Sequence, residues 1–513
     1  MFSTLWKTYG HVDTSSIRGF ESYRNSADKV KLNHKRIRLH TAAFIQHNCD
    51  VEKLIYYLGG PHIGRQPIWA EIIEKIREGV HPNVLLELER VYRYGAPREV
   101  NATNTEENLL QYFLYGNHES VTKNPAEYEK VIIKDYKRGN TVLFDIRCFA
   151  FIPNCHLTPQ AIANLDDRWK EARHISDSSF LVHPESETIN TWATKKTELP
   201  LHFPGSFDRT LQWIYNLRIT YPDDPIYLGD DDVTNAFKWI KNNPSIVAMC
   251  GFTSHEHAIV GFCTGQNFGN CWSPSNFKII AVARQMWAQY LWLHRPKEAI
   301  DRAVPFAKKM TIADPISNDP PVKAQKDALN PGVKDSHGNR LAPWYAMQVD
   351  DCMFADNREN IILTATMSII ALEDLSGAAQ PFQEHPLSFK KWNPHYGELR
   401  LLVGNDVNTR RMVVLISANR RTKVTCFLQE EGWIIYGQSK TIRQICVVLG
   451  ILNSAAEYFP WARAQLFVLE NLLCIAIRKR YVQAKASKKC REDISIKKKR
   501  LPPSMYYRMT SIQ

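Results

Sequence analysis

The sequence has no Cys-x-x-Cys pair, no apolar run long enough to span a bilayer, no charged start followed by a long apolar region, and no internal repeat. Each absence removes a class of protein. Eleven cysteines scattered without pairing are expected to be reduced thiols, neither a disulfide framework nor a zinc site. His255 and His257 in "SHEHA" have no neighbouring cysteine and no third histidine, so they are expected to be turn or surface residues rather than zinc ligands. Without a spanning run no membrane association is expected, and without a secretory start the chain is expected to be cytoplasmic or nuclear.

What is present belongs to a folded, basic protein. The 513 residues suggest two to four domains, and 44% hydrophobic with 23% charged residues supply a sizeable core. A formal charge of +12 points to a polyanionic partner, nucleic acid or an acidic surface. Residues 1–140 read mostly as helices, as in "PIWAEIIEKIREGVHPNVLLELERVYRYGAP", with Gly and Pro at their ends. From about 141 short β-prone runs such as "TVLFDIRCFAFIP" alternate with helical segments, an α+β texture. A polar stretch at about 294–341 reads as an insertion that is either functional or poorly ordered. After Thr441, Ile442, Ile445, Leu449 and Leu452 recur at helical spacing, and residues 485–513 form a basic tail that is either solvated or nucleic-acid binding.

Two acidic clusters carry the chemistry. In "YLGDDDVTNAFKWIKNNP" a β-prone run ends in Asp230, Asp231 and Asp232 and leads into a short amphipathic helix with Ala236, Phe237 and Ile240, stopped by Pro244. In "MQVDDCMFA" Asp350 and Asp351 interrupt an apolar run. Asp-Asp in such a run is either an exposed turn or an anion pair kept for a cation. If the two clusters converge across neighbouring strands, they can hold two hard cations of the Mg²⁺ type, the usual arrangement for nucleotidyl transfer.

"DVTNAFKWI" (232–240), "FGNCWSPSNF" (268–277) and "QVDD" (348–351) occur in the order of the palm motifs of reverse transcriptases, and the chain resembles that family. "EARHISDSS" (171–179) is similar to a fingers segment, and "LRLLVGNDVNTRRMVVLI" (399–416) to the hairpin that grips the primer end. "IRQICVVLGILNSAAEYFPWARAQL" (442–466) is similar to the thumb segment of DIRS-like and gypsy-like retrotransposons. The likeness runs from about residue 170 to 470, with a vague similarity upstream in "HNCDVEKLIYYLGGP".

The resemblance implies a right-hand polymerase: a helical N-terminal extension (1–140), fingers and palm with an antiparallel sheet (141–435), and a helical thumb-like segment (436–484). It implies RNA-directed DNA synthesis from a template-primer and dNTPs, with two Mg²⁺, or Mn²⁺, held by Asp232, Asp350 and Asp351. Arg173 would neutralise the triphosphate, a task to which a guanidinium is suited. Phe237 would stand against the sugar 2′ position, or else be an ordinary core ring. Phe268, Gly269, Ser273 and Pro274 fall in the substrate-binding second motif, and Gly404 would shape the primer-grip turn. Lys390 or Lys391 would protonate the leaving pyrophosphate, with Lys390 taken as the candidate.

Two positions depart from the family. Gln348 stands where an aromatic is usual, and Phe268 where many retroviral members have Gln. No ribonuclease H, protease, integrase or zinc-knuckle segment is recognisable, so other domains of a retroelement polyprotein are expected partners. The alternatives are a decayed or repurposed copy that binds nucleic acid without polymerising, and a metal-dependent nuclease, which leaves "FGNCWSP" unexplained.

Overall fold

The computed structural model describes residues 2–19, 32–64, 68–96, 104–152, 155–163, 172–182, 187–196, 205–377, 385–430, 441–456 and scattered positions from 466 to 478. The basic tail lies outside the described residues. The chain divides into two compact units, Met1–Glu398 and Leu399–Gln513. Helix and sheet are mixed throughout the first.

The first unit begins with helices whose ends are written locally. Asn33 and Asp50 accept hydrogen bonds from the Arg36 and Lys53 amides at the starts of His34–Gln46 and Val51–Leu58. Pro82 opens Pro82–Tyr94, and Gly95, at φ 77°, closes it. The helices Glu106–Tyr115 and Pro125–Lys137 follow, and the latter packs on an antiparallel sheet in which Ile259–Cys263 runs between Thr141–Asp145 and Gly251–Ser254.

A second antiparallel sheet holds both acidic clusters. Its central strand, Asp351–Asn357, pairs with Ile226–Asp232 on one side and Ala346–Gln348 on the other. The helices Ser206–Thr220, Trp272–His294 and Ile361–Ser376 pack against it. Gly229 faces Phe354 across the sheet, where a Cβ would lie 2.1 Å from the ring. Only a glycine lets that ring lie across the strand.

Strand alternation sends Asp231 the opposite way from Asp230 and Asp232. Asp231 is buried, and its carboxylate accepts from Arg284 Nη2 (2.6 Å) and from Ser368 Oγ (2.9 Å). Arg284 also donates to the Ser368 carbonyl, so one buried guanidinium joins the strand to both helices behind it.

Two expectations need correction. Residues after Asp232 do not form an amphipathic helix stopped by Pro244: Asn235 turns left-handed at φ 50°, a single 3₁₀ turn covers Ala236–Trp239, and Pro244 opens a second one, Pro244–Met249. The indole of Trp239 donates back to the Thr234 carbonyl, which closes the segment after one turn. The polar stretch at 294–341 begins with a helix, Lys297–Ala307, packed on Ile361–Ser376. Its irregular remainder is tied to the helix Ser206–Thr220, where Asn216 and Thr220 accept from the Gly332 and Val333 amides at 2.9 Å each.

In the second unit Leu399–Leu402, Asn405–Asn408 and Val413–Ile416 form an antiparallel three-stranded sheet, followed by the helices Ala418–Glu430 and Ile442–Ala456. Its first turn, Val403-Gly404, has both residues at positive φ (48° and 79°), the geometry two-residue hairpins favour. Among the described residues no helix is long and apolar enough to cross a membrane, and the cysteines are free thiols.

Arg284→Met is expected to destabilise the first unit by about 3–5 kcal/mol, because it strands a buried carboxylate. The double variant Asp231→Leu, Arg284→Met is expected to recover most of that loss, as read by urea unfolding.

Candidate active site

Backbone register brings the two acidic clusters together. Asp232, last in its strand, is the partner of Asp351, first in the next, so both side chains leave the same face of the sheet. Asp350 sits in the two-residue turn before Asp351, and its carbonyl accepts from the Val233 amide at 3.3 Å. The other turn residue, Val349, lies at φ 57°, a region that disfavours a β-branched side chain. The aspartates therefore sit on a strained tip held on both sides.

Their electrostatics follow from that crowding. Burial first, then the charges of Asp350 and Asp232, push the Asp351 carboxyl up to about 7. Asp350 is raised by burial and by Asp232, with Lys391 and Arg173 pulling the other way. Asp230 adds a further negative charge towards Asp351.

The segment 386–391 closes one side of the site. Thr234 donates to the Pro386 carbonyl and the Ser388 amide donates to the Asp232 carbonyl, which sets Lys391 Nζ 2.8 Å from Asp232 Oδ1. Lys391 thus reaches the aspartates, and Lys390, its neighbour in the chain, is like it exposed. Among the described residues no three His, Cys, Asp or Glu side chains have their donor atoms gathered to hold an ion. The chemistry of the set, three carboxylates on one tip, is of the kind that suits a hard divalent cation, and Lys391 stands on Asp232 in its place.

On another side lie the residues of the second motif. The Arg173 guanidinium is 5.0 Å from the centre of the Phe268 ring, which in turn is 4.8 Å from Phe237. Phe237 is only 6% exposed and also meets Phe277, so most of this ring is core. Gly269 has φ 109°, and a Cβ there would lie 1.7 Å from the Ser176 carbonyl oxygen, so no other residue fits. Ser273 is buried and donates to the Asn267 carbonyl at 2.9 Å, while Pro274 is the third residue of the helix Trp272–His294. Gly404 belongs to the second unit's turn. His255 and His257 occupy a turn, bonded to the Phe113 carbonyl and to Ser254 Oγ.

Sequence reasoning missed the strain at Val349 and the pairing of Asp231 with Arg284. Alternation along the strand carries the signal for the second, because neighbouring aspartates cannot share a face.

No protein-family model matches this chain, and no curated protein matches it. Among solved structures, it is similar to a foamy viral protease-reverse transcriptase in complex with double-stranded DNA, at 12% identity and a TM-score of 0.40, covering 79% of this chain and 56% of that one. It is also similar to the foamy viral protease-reverse transcriptase bound to an RNA/DNA hybrid, at 12% identity and a TM-score of 0.37, covering 79% of this chain and 43% of that one. The chain thus spans about half the length of the solved structures it matches.

Removing one of the crowded charges should stabilise the ion-free protein. Unfolded, an aspartate titrates near 3.8, whereas folded Asp351 titrates near 7, so the folded state binds its proton more tightly. The carboxylate therefore costs no stability below about pH 4 and its full amount above about pH 7. Asp351→Asn in EDTA is expected to raise Tm by a few degrees at pH 8, a gain that shrinks as pH falls towards 4. A pH-independent difference in a thermal scan would contradict this assignment.

Proposed function

We propose that the chain is the polymerase core of a retrotransposon of the DIRS-like or gypsy-like kind, an RNA-directed DNA polymerase that extends a primer 3′-hydroxyl with dNTPs. The observation that carries this reading is the register of Asp232 against Asp351, with Asp350 on the turn beside them, in the motif order that the sequence displays. Arg173, whose charge acts on Asp350, sits on the Phe268 ring beside Phe237, an arrangement that supports a nucleotide site. The net charge of +12 suits a template-primer as partner, bound with strong salt dependence. Its work would be cytoplasmic or nuclear.

Asp232, Asp350 and Asp351 would hold two divalent ions. Bound there, the ions would lower the pKa of the primer hydroxyl and neutralise charge on the triphosphate. Arg173 would offer its guanidinium to the phosphates, freed from the Phe268 face. The outer edge of Phe237 would exclude a 2′-hydroxyl. Lys391, displaced from Asp232, would be the proton donor for the departing pyrophosphate, in place of Lys390. Gly404 would keep the primer-contacting turn of the second unit in its left-handed form.

One observation favours the second reading, a nucleic-acid-binding remnant: Lys391 already neutralises Asp232, and Gln348 replaces the usual aromatic beside the tip. Primer extension on an RNA template with Mg²⁺ or Mn²⁺ separates the two. Extension by the parent, and a loss of at least about a thousandfold in Asp350→Asn, Asp351→Asn of confirmed fold, is the expected result. Template-primer binding without extension by either protein would establish the remnant.

A further inference from the structure

Behind the nucleotide side of the site lies a buried ionic cluster that the chemistry above leaves unused. Asp135, on the helix Pro125–Lys137, is 5% exposed. Its Oδ2 is paired with Lys238 Nζ and lies 3.3 Å from His174 Nδ1. His174 Nε2 lies 2.5 Å from Gln160 Oε1, so the ring bridges Asp135 and Gln160. His174 directly follows Arg173, and Lys238 directly follows Phe237. One carboxylate therefore grips the neighbours of both residues assigned to the nucleotide, from an element that carries no motif of its own.

The rest of the hairpin shows what this grip controls. The strand Arg173–Ser176 is anchored at its far end, where the Ser176 amide donates to the Phe268 carbonyl and Ser176 Oγ donates to Gln160 Oε1. The strand is paired along its length with Gln160–Ala163, Arg173 opposite Ala163, and at the Arg173 end His174 and Asp135 add a side-chain contact. Lys238 lies in a single 3₁₀ turn closed by its own amide to the Asn235 carbonyl and by the Trp239 indole, and the Asp135 pair adds the tie that links this turn to the helix Pro125–Lys137. A buried ionic cluster is seldom kept for stability, since apolar packing of equal volume serves as well, and its better-attested use is to specify one geometry.

We propose that Asp135 is a positioning residue that sets nucleotide affinity and sugar selectivity, by holding the Arg173 strand and the Phe237 turn at one fixed separation. The Lys238 ammonium above all holds the Asp135 carboxyl below the usual carboxylate range against its burial, so the Asp135–Lys238 pair stays ionised at neutral pH. The inference rests on the polymerase reading of the site. Losing the tie lets the guanidinium and the ring drift apart without touching the aspartates that carry the chemistry, so ground-state positioning suffers more than turnover.

Steady-state extension with dNTPs and with rNTPs tests this. Asp135→Asn keeps the volume and removes the charge. It is expected to raise KM for dNTPs about tenfold, to leave kcat within about threefold, and to lower the deoxy-over-ribo preference in kcat/KM about tenfold. His174→Gln should shift the same quantities in the same direction by a smaller factor, and it decides the matter if Asp135→Asn does not fold. Adding Lys238→Met to Asp135→Asn should have little further effect, because both break one tie. An unchanged deoxy-over-ribo ratio, or equal loss with both nucleotides in step with a lower Tm, would make Asp135 structural only and overturn the proposal. If the parent itself fails to extend, the polymerase reading fails first and takes this inference with it; if the parent extends and the variants match it, only the inference falls.

Discussion

Three carboxylates, Asp232, Asp350 and Asp351, are brought together by paired strands, and burial with neighbouring negative charge raises the cost of ionising Asp350 and Asp351. Much of the first unit is arranged around that repulsion. A protein can relieve it with protons, with its own cations or with bound ones. Here Lys391 meets Asp232 directly, Arg173 bears on Asp350 from a distance, and Asp351 is left closest to neutrality with its carboxyl near 7. The compensation is partial, and two of the three carboxyls remain raised above their ordinary value.

The same sheet solves the opposite problem on its other face. Asp231 would take the place of Asp232 at the tip if the strand slipped by one residue, and Asp230 and Asp232 would turn into the buried face, since such a slip exchanges the two faces. Arg284 prevents this at close range, because its guanidinium is wholly enclosed and has Asp231 and Ser368 as partners. The register that sets Asp232 against Asp351 is thus defended by an ion pair one residue away. Val349 adds to the same end from the turn, where a strained backbone persists only if the flanking strands hold it.

The acidic clusters, their strand contexts and their convergence were legible in the sequence because β-prone runs and charge are local signals. The helix expected after Asp232 was not, since Ala236, Phe237 and Ile240 have helical spacing, yet Asn235 takes a left-handed turn that periodicity does not encode. The stretch at 294–341 looked loose because its anchors are long-range hydrogen bonds, Gly332 to Asn216 and Val333 to Thr220, which composition cannot reveal. Lys390 and Lys391 were indistinguishable as neighbours in a polar run. Their separation comes from the Ser388 amide bonding to the Asp232 carbonyl, a contact across more than 150 residues. Asp135 had no signal at all, being one of three acids, with Glu127 and Glu129, in an ordinary amphipathic helix.

The departures from the reverse-transcriptase pattern bear on different parts of this machinery. Gln348 is the register partner of Asp351, so the changed side chain flanks the tip while the carboxylates and the strands that hold them are retained. Phe268 lies between Arg173 and Phe237, and there an aromatic ring does something an amide cannot: it seats the guanidinium by its face and packs against a second ring. A glutamine at 268 would make the seat polar and leave Phe237 less supported. The two departures thus have unequal consequences, the first flanking the aspartate tip and the second building a packed wall of guanidinium and rings.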